Sequence, residues 1–288
     1  MTLQKKATLI SSLTAGTLAI IKFVVGLASG SVAVLASAID SILDLTISLF
    51  NYVALHNSEK PADETFNYGR GKIEALASVI EGTIITLSGL FILYESIQKL
   101  YYGEEVSHLT PSIIVMGISF VVTLALVLFL LYVAKKSQNM VIKADALHYQ
   151  TDLLSNGVIL FSLGFIAWTE YHFIDGVLGI LIAFYIIYSA YGLIKEGVWM
   201  LLDKAMDEEM TEKIRSIIAA CPEVSSFHHL KTREAGSDRF VDVHLVFGRE
   251  FMLVEAHAVS DRIEAAIEAL DQGVRWNITV HLDPFDDS

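Results

Sequence analysis

Four residues set in two apolar runs carry the chemistry: Asp40 and Asp44 in SVAVLASAIDSILDLTISLF, and His148 and Asp152 in ADALHYQTDLLSNGVILF. Residues four apart share one face of a helix at a separation of about 6 Å, so each pair can aim two metal-binding groups at one point. An isolated Asp at the centre of a membrane helix costs about 2.5–3.5 kcal/mol even on insertion scales, so three carboxylates at that depth call for a shared ligand. A divalent cation is the obvious one. One imidazole and three carboxylates fit a four-coordinate Zn²⁺, with Fe²⁺, Cd²⁺ and Co²⁺ as competitors, and no thiolate is at hand for softer ions.

Composition says where such helices would sit. Of 288 residues, 53% are hydrophobic and 18% charged, with a mean hydropathy of +0.53, too apolar for an ordinary soluble domain. The fold class expected is an α-helical membrane protein in a lipid bilayer. Cys221 is the single cysteine, which excludes an intramolecular disulfide and a cysteine-rich metal site. The net charge of −13 is uneven: from Ala205 onward 17 acidic residues face 8 basic ones, leaving −9 in the tail. That distribution argues against nucleic acid as a partner and suits cations.

The elements that must position these residues follow from hydropathy. Six spans are expected at about 8–29, 32–55, 73–97, 112–134, 140–168 and 174–194, each long enough for about 30 Å of hydrocarbon. The first reads as a retained helix and not a removed signal peptide. Gly30 and Ser31 make a tight turn, Pro61 breaks the polar stretch 56–72, and Gly103, Glu104, Glu105 and Pro111 mark the loop before the fourth helix. Lys22 snorkels or faces the bundle, and Glu81 is one more carboxylate in an apolar run. Ten basic residues, Lys5, Lys6, Lys60, Arg70, Lys72, Lys135, Lys136, Lys143, Lys195 and Lys204, fall on the side of the termini, against Lys99 on the other. The positive-inside rule makes that side, and both termini, cytoplasmic.

After about Ala205 the pattern changes. A charged helical stretch over 207–220, strands over 228–234 and 240–247 around Gly236 and Ser237, an amphipathic helix over 251–270 and a strand over 274–282 give the order αββαβ. This is a small α+β, open-faced sandwich. The chain thus divides into a six-helix transmembrane domain, 1–204, and a cytosolic domain, 205–288. Five of the nine histidines lie in that tail, and strand alternation can point His244 and His281 to one face. Catalysis is disfavoured: the acids sit four apart on one helix, and neither an HExxH zinc site nor a Ser-His arrangement occurs. A membrane-tethered metal sensor that binds without transporting is a further alternative.

Read together, SVAVLASAIDSILDL, the loop KPADETFNYGRGKIEA, ADALHYQTDLLSNG, LLDKA, HHLKTREAGSDRFVDVHLVF, LVEAHAVSDRIEAAI and ITVHLDP resemble the cation diffusion facilitator family, near its bacterial zinc and ferrous-iron efflux branch, over nearly the whole chain. The resemblance implies a homodimer in the bacterial plasma (inner) membrane, a metallochaperone-like cytosolic domain, and export of divalent metal in exchange for protons by alternating access. It matches Asp40, Asp44, His148 and Asp152 to the family's transport site. It likewise matches His228, His244, His257, His281 and Asp283 to a cytosolic binuclear site whose metals hold the dimer together, and leaves His229 structural. In the first cytosolic loop the family pattern is an Asp with two His, whereas here Phe66 and Arg70 stand at the His positions beside Asp63; a metal site there is expected to be weak or absent. Lys72 and Asp203 match a family salt bridge.

Overall fold

The computed structural model describes residues 2–29, 32–102, 112–169 and 173–286. The turn at Gly30 and Ser31 and the loop from Gly103 to Pro111 lie outside the described residues. The chain separates into two compact units, one of residues 1–61 and 73–198, the other of residues 62–72 and 199–288. The loop 62–72 therefore groups with the tail.

The first unit is built from α1 (Leu3–Ser29), α2 (Val32–Ser58), α3 (Lys72–Tyr102), α4 (Ser112–Ser137), α5 (Met140–Thr169) and α6 (Phe173–Leu201). Five of the six are long and apolar enough to cross a membrane; α5, which carries Lys143, Asp145, His148 and Asp152, is the sixth. Packing in this unit differs from that of a soluble protein in leaving many large apolar side chains exposed. Leu13, Leu87, Phe91 and Val121 point outward, as lipid-facing side chains do, while Ala7, Ala15, Ser11, Ser48, Asn51 and Ala144 are buried between helices. Lipid tails are as apolar as leucine, so membrane helices associate through close backbone approach and polar contacts. Gly197 shows the first: a Cβ there would lie 2.7 Å from the Val79 side chain and 3.0 Å from the Ala75 carbonyl oxygen, so α6 meets α3 at a distance only glycine permits.

The second unit contains α7 (Glu208–Ala219), β1 (Ser226–Ala235), β2 (Asp238–Val246), α8 (Leu253–Glu268) and β3 (Arg275–Asp283), the αββαβ order the sequence leads one to expect. Asp207 starts α7 by accepting a hydrogen bond from the Met210 amide at 2.7 Å, the usual role of an N-cap aspartate. The sheet order is β1-β2-β3, with β1 and β2 antiparallel across the Gly236 turn and β3 parallel to β2, a parallel step made possible by the α8 crossover. Alternation sends Val241, Val243 and Leu245 of β2 inward against Ile214 and Ile218 of α7 and Val259, Ile263 and Ile267 of α8. Asp242 and His244 are left on the opposite face. Leu245 is fully buried, and Leu245→Ala is expected to lower the stability of this unit by about 2–5 kcal/mol, read as lost amide exchange protection in β2 and β3 of the full chain.

The loop 62–72 lies on the open face of this sheet. Tyr68 meets Phe240 edge-on at 5.9 Å, and Arg233 stacks over Phe240 at 3.7 Å. Gly71 passes so close to the end of β1 that a Cβ would come within 1.9 Å of the Ala235 carbonyl oxygen. Lys72 Nζ reaches Asp203 Oδ2 at 3.0 Å and donates to the Leu201 carbonyl at 3.1 Å. Both side chains of the ion pair are part-exposed, so the pair itself contributes at most about 1 kcal/mol.

Candidate metal centres

On α5, His148 and Asp152 are one turn apart and share a face, as the sequence spacing requires. That face meets α2 at Asp44. His148 Nε2 stands 3.4 Å from Asp44 Oδ1 and 3.7 Å from Asp152 Oδ2, and one ligand atom from each of the three residues lies within 4.8 Å of the others. His148 Nε2 and Asp152 Oδ2 are buried without a hydrogen bond. Donors held this close and left unbonded have the character of a cation site, since a buried polar atom is otherwise almost always satisfied. Asp40, one turn before Asp44, is exposed and stands outside the cluster. Lys22 donates to Ser41 Oγ at 2.8 Å and interacts electrostatically with Asp44, Asp40 and Asp152. It is therefore turned into the bundle, one of the two positions its sequence context allows.

Sequence reading did not single out Asp145, Asn51 or Ser48 beside this centre. Asp145 is fully buried on α5, and Asn51 of α2 donates to its Oδ1 at 3.3 Å. Ser48 Oγ and Tyr149 Oη share a hydrogen bond of 2.8 Å. Asp145 is three residues before His148 and seven before Asp152, a spacing on the same helical face that was present in ADALHYQTD. Glu81, from α3, is buried as well.

The tail cluster is assembled by strand register. His228, His244 and His281 are direct cross-strand neighbours on β1, β2 and β3, with imidazole centroids 5.0 Å apart for the first two and 4.6 Å for the last two. Asp283, two residues after His281 and so on the same face, is the hub: its carboxylate lies 2.9 Å from His244 Nδ1, 3.0 Å from His281 Nε2 and 3.4 Å from His228 Nε2. Ligand atoms of His228, His244 and Asp283 fall within 4.8 Å of one another. An imidazole-carboxylate set of this kind suits Zn²⁺. Two further groups adjoin it. His229 takes a left-handed φ of 53° at an irregularity between His228 and Lys231, which brings its ring 4.8 Å from His228 and 5.1 Å from His244. Asp286 Oδ1 approaches His228 Nδ1 at 3.5 Å. His257 does not join the cluster; it is exposed on α8, 3.8 Å from Asp261.

Two other residues are engaged elsewhere. The Asp63 carboxylate accepts from the Thr65 and Phe66 amides at 3.0 and 2.9 Å and from Arg70 at 2.6 Å. The Phe66 amide, with Arg70 and the Thr65 amide in support, holds its pKa below the ordinary value. A carboxylate stabilised this way favours the folded loop above its ordinary pKa and loses that contribution as pH falls through the depressed folded value. The Phe66 amide should accordingly stay protected from exchange at neutral pH and lose protection only below about pH 4; equal protection in Asp63→Asn at neutral pH would contradict this. The Cys221 thiol donates to Glu223 at 3.2 Å, and burial together with that carboxylate pushes its pKa up, away from the thiolate a metal needs.

Comparison with known proteins supplies independent findings. Residues 8–202 match the cation efflux transmembrane domain, and residues 206–285 match the cation efflux protein cytoplasmic domain. The cation-efflux pump FieF of Klebsiella pneumoniae subsp. pneumoniae is 36% identical over 98% of this chain and 93% of its own length. FieF of Escherichia coli O127:H6 is 35% identical over the same shares. Among solved structures, the zinc form of CzrB is 30% identical, covering 30% of this chain and 97% of that one, with a TM-score of 0.28. With family matches to both the membrane and the cytoplasmic parts, and pumps aligned over nearly their whole length among its relatives, the chain belongs to the cation diffusion facilitator family of membrane cation-efflux transporters.

Proposed function

We propose that this transporter exports Zn²⁺ from the cytoplasm in exchange for protons, as a homodimer in the bacterial plasma membrane with both termini cytoplasmic. The observation that carries the reading is the meeting of Asp44, His148 and Asp152 from two membrane helices, with His148 Nε2 and Asp152 Oδ2 buried and unbonded. Asp40 supplies the fourth ligand from the next turn of α2, since donor groups often tighten only around a bound ion. An imidazole among carboxylates favours Zn²⁺ over harder ions. Protons compete with the metal because each ligand must be deprotonated to bind, so loading releases protons and a proton that rebinds on the far side returns inward. The tail cluster of His228, His244, His281 and Asp283 holds structural Zn²⁺, and His257, exposed on α8, is a donor one protomer can lend the other. The match of residues 206–285 to the family's cytoplasmic domain supports the homodimer.

Coupling is tested by calorimetry of Zn²⁺ binding to full-length protein with His228, His244 and His281 replaced, in buffers of different ionisation enthalpy between about pH 5.5 and 7.5, a range centred on the free imidazole. Release of about one to two protons per ion, with affinity falling as pH drops, is expected. No release and pH-independent affinity would leave a uniporter as the better account.

A further inference from the structure

Glu81 and Glu74 lie on one buried face of α3, seven residues and so about 10 Å apart along the axis, with buried Ser78 between them. The structure treats the two carboxylates differently. Glu74 is 3% exposed and fully provided for: Ser58 Oγ donates to it at 3.0 Å and Asn139 Nδ2 at 2.7 Å. Glu81 is 1% exposed, and neither of its oxygens meets a donor at hydrogen-bonding distance and angle, although Asn51 lies alongside. Two charged neighbours act on it, His148 and, more strongly, a second acid, Asp145, fully buried, whose Oδ2 is likewise without a partner. Asn51, also fully buried, spends its amide N–H on Asp145 Oδ1 and leaves its own Oδ1 unpartnered. Three helices, α2, α3 and α5, thus hold four buried oxygens with no donor assigned to them.

Burial alone does not explain this, because two turns away the same bundle gives Glu74 the donors it needs. Two buried acids side by side and unpaired cost several kcal/mol each as ions, and a cation shared between them is what that geometry lacks. We infer that Glu81, Asp145 and the Asn51 side-chain carbonyl form a second divalent-cation site, separate from the Asp44, His148 and Asp152 centre and built of oxygen donors alone. With neither imidazole nor thiolate, it takes a hard ion of the Mn²⁺ or Mg²⁺ kind better than Zn²⁺. The Ser11 and Ser48 hydroxyls interact by hydrogen bonding with Asp145 and bring further oxygens to the same pocket of polarity. The site's existence stands on these contacts; its use as a station for cargo on the way to the His148 centre rests on the export reading above.

The test uses Mn²⁺ as probe on the full-length protein already loaded with Zn²⁺, so that the histidine-containing sites are filled. Titration followed by the electron paramagnetic resonance of free Mn²⁺ should show one further ion bound per chain. In Glu81→Gln and in Asp145→Asn its affinity should fall at least about tenfold, while the Zn²⁺ content stays that of the unsubstituted protein. No further Mn²⁺ in the unsubstituted protein, or unchanged affinity in both variants, overturns the proposal and leaves the pair holding protons. Anomalous diffraction at the manganese edge from unsubstituted crystals grown with Mn²⁺ decides the matter without any substitution: density bounded by Glu81 and Asp145 supports the site, and manganese density elsewhere only overturns it. A failure of Zn²⁺ to load at His148 would instead count against the export reading, and is seen separately in the Zn²⁺ content.

Discussion

Asp152→Ala is expected to lower Zn²⁺ uptake into proteoliposomes at least about 100-fold, since altering even the partners of a metal ligand costs 10–100-fold and this change removes a ligand outright. The variant should still fold and insert. Asp152 is an acid at membrane depth with a buried Oδ2 that makes no hydrogen bond, so its loss relieves a desolvation cost and removes only the 3.7 Å approach to His148. His148 and Asp44, 3.4 Å apart, then remain with Asp40, one donor short of a four-coordinate site. Zn²⁺ bound at the tail should be unaffected, because His228, His244, His281 and Asp283 all lie in the other unit. Uptake at the unsubstituted rate, in protein shown to be folded by its tail metal content, would falsify the assignment of this centre as the transport site.

His148→Asp should change which ion moves, not only how fast. The substitution turns a centre with one nitrogen donor into one of carboxylates only, and all-oxygen sets favour Mn²⁺ over Zn²⁺ relative to sets containing imidazole. The ratio of Mn²⁺ to Zn²⁺ uptake is expected to rise by roughly 10–100-fold, the range by which changes in a metal's surroundings move affinity. Competition between the two ions in the same vesicles measures it directly. An unchanged ratio with both ions still transported would place His148 outside the coordination sphere.

Much of the architecture was legible in the sequence because membrane helices and half-buried strands carry their own periodicity. The helix spans agree with hydropathy to within a few residues, except that α6 runs on through 201 where hydropathy ends it at 194, and the αββαβ order of the tail follows from alternation around Gly236. What periodicity cannot say is which faces of different helices meet. Asp40 and Asp44 are equivalent by spacing, yet it is the Asp44 carboxylate that meets His148 and Asp152, while Asp40 is exposed. Asp145 is as well placed as His148 on its own helix, but its importance depends on Asn51 and Glu81, residues 94 and 64 positions away in the chain. In the tail, alternation puts His244 and His281 on one face; that His228 stands opposite them, with His229 turned in beside it, depends on the β1 irregularity and the left-handed φ at His229, which a histidine doublet does not announce.

The parallel pairing of β3 onto β2 also sets the order in which the tail can be completed. His228 and His244 are made first, but Asp283, the carboxylate that touches all three imidazoles, follows His228 by 55 residues (228 to 283) and arrives only after α8 has been laid across the sheet. At about 5–20 residues per second of synthesis the histidines wait some seconds for it. Until then they are loose surface side chains with no hub. A metal ion at this cluster is therefore captured by the finished sheet and not by the nascent hairpin, and its capture reports that the last strand is in register.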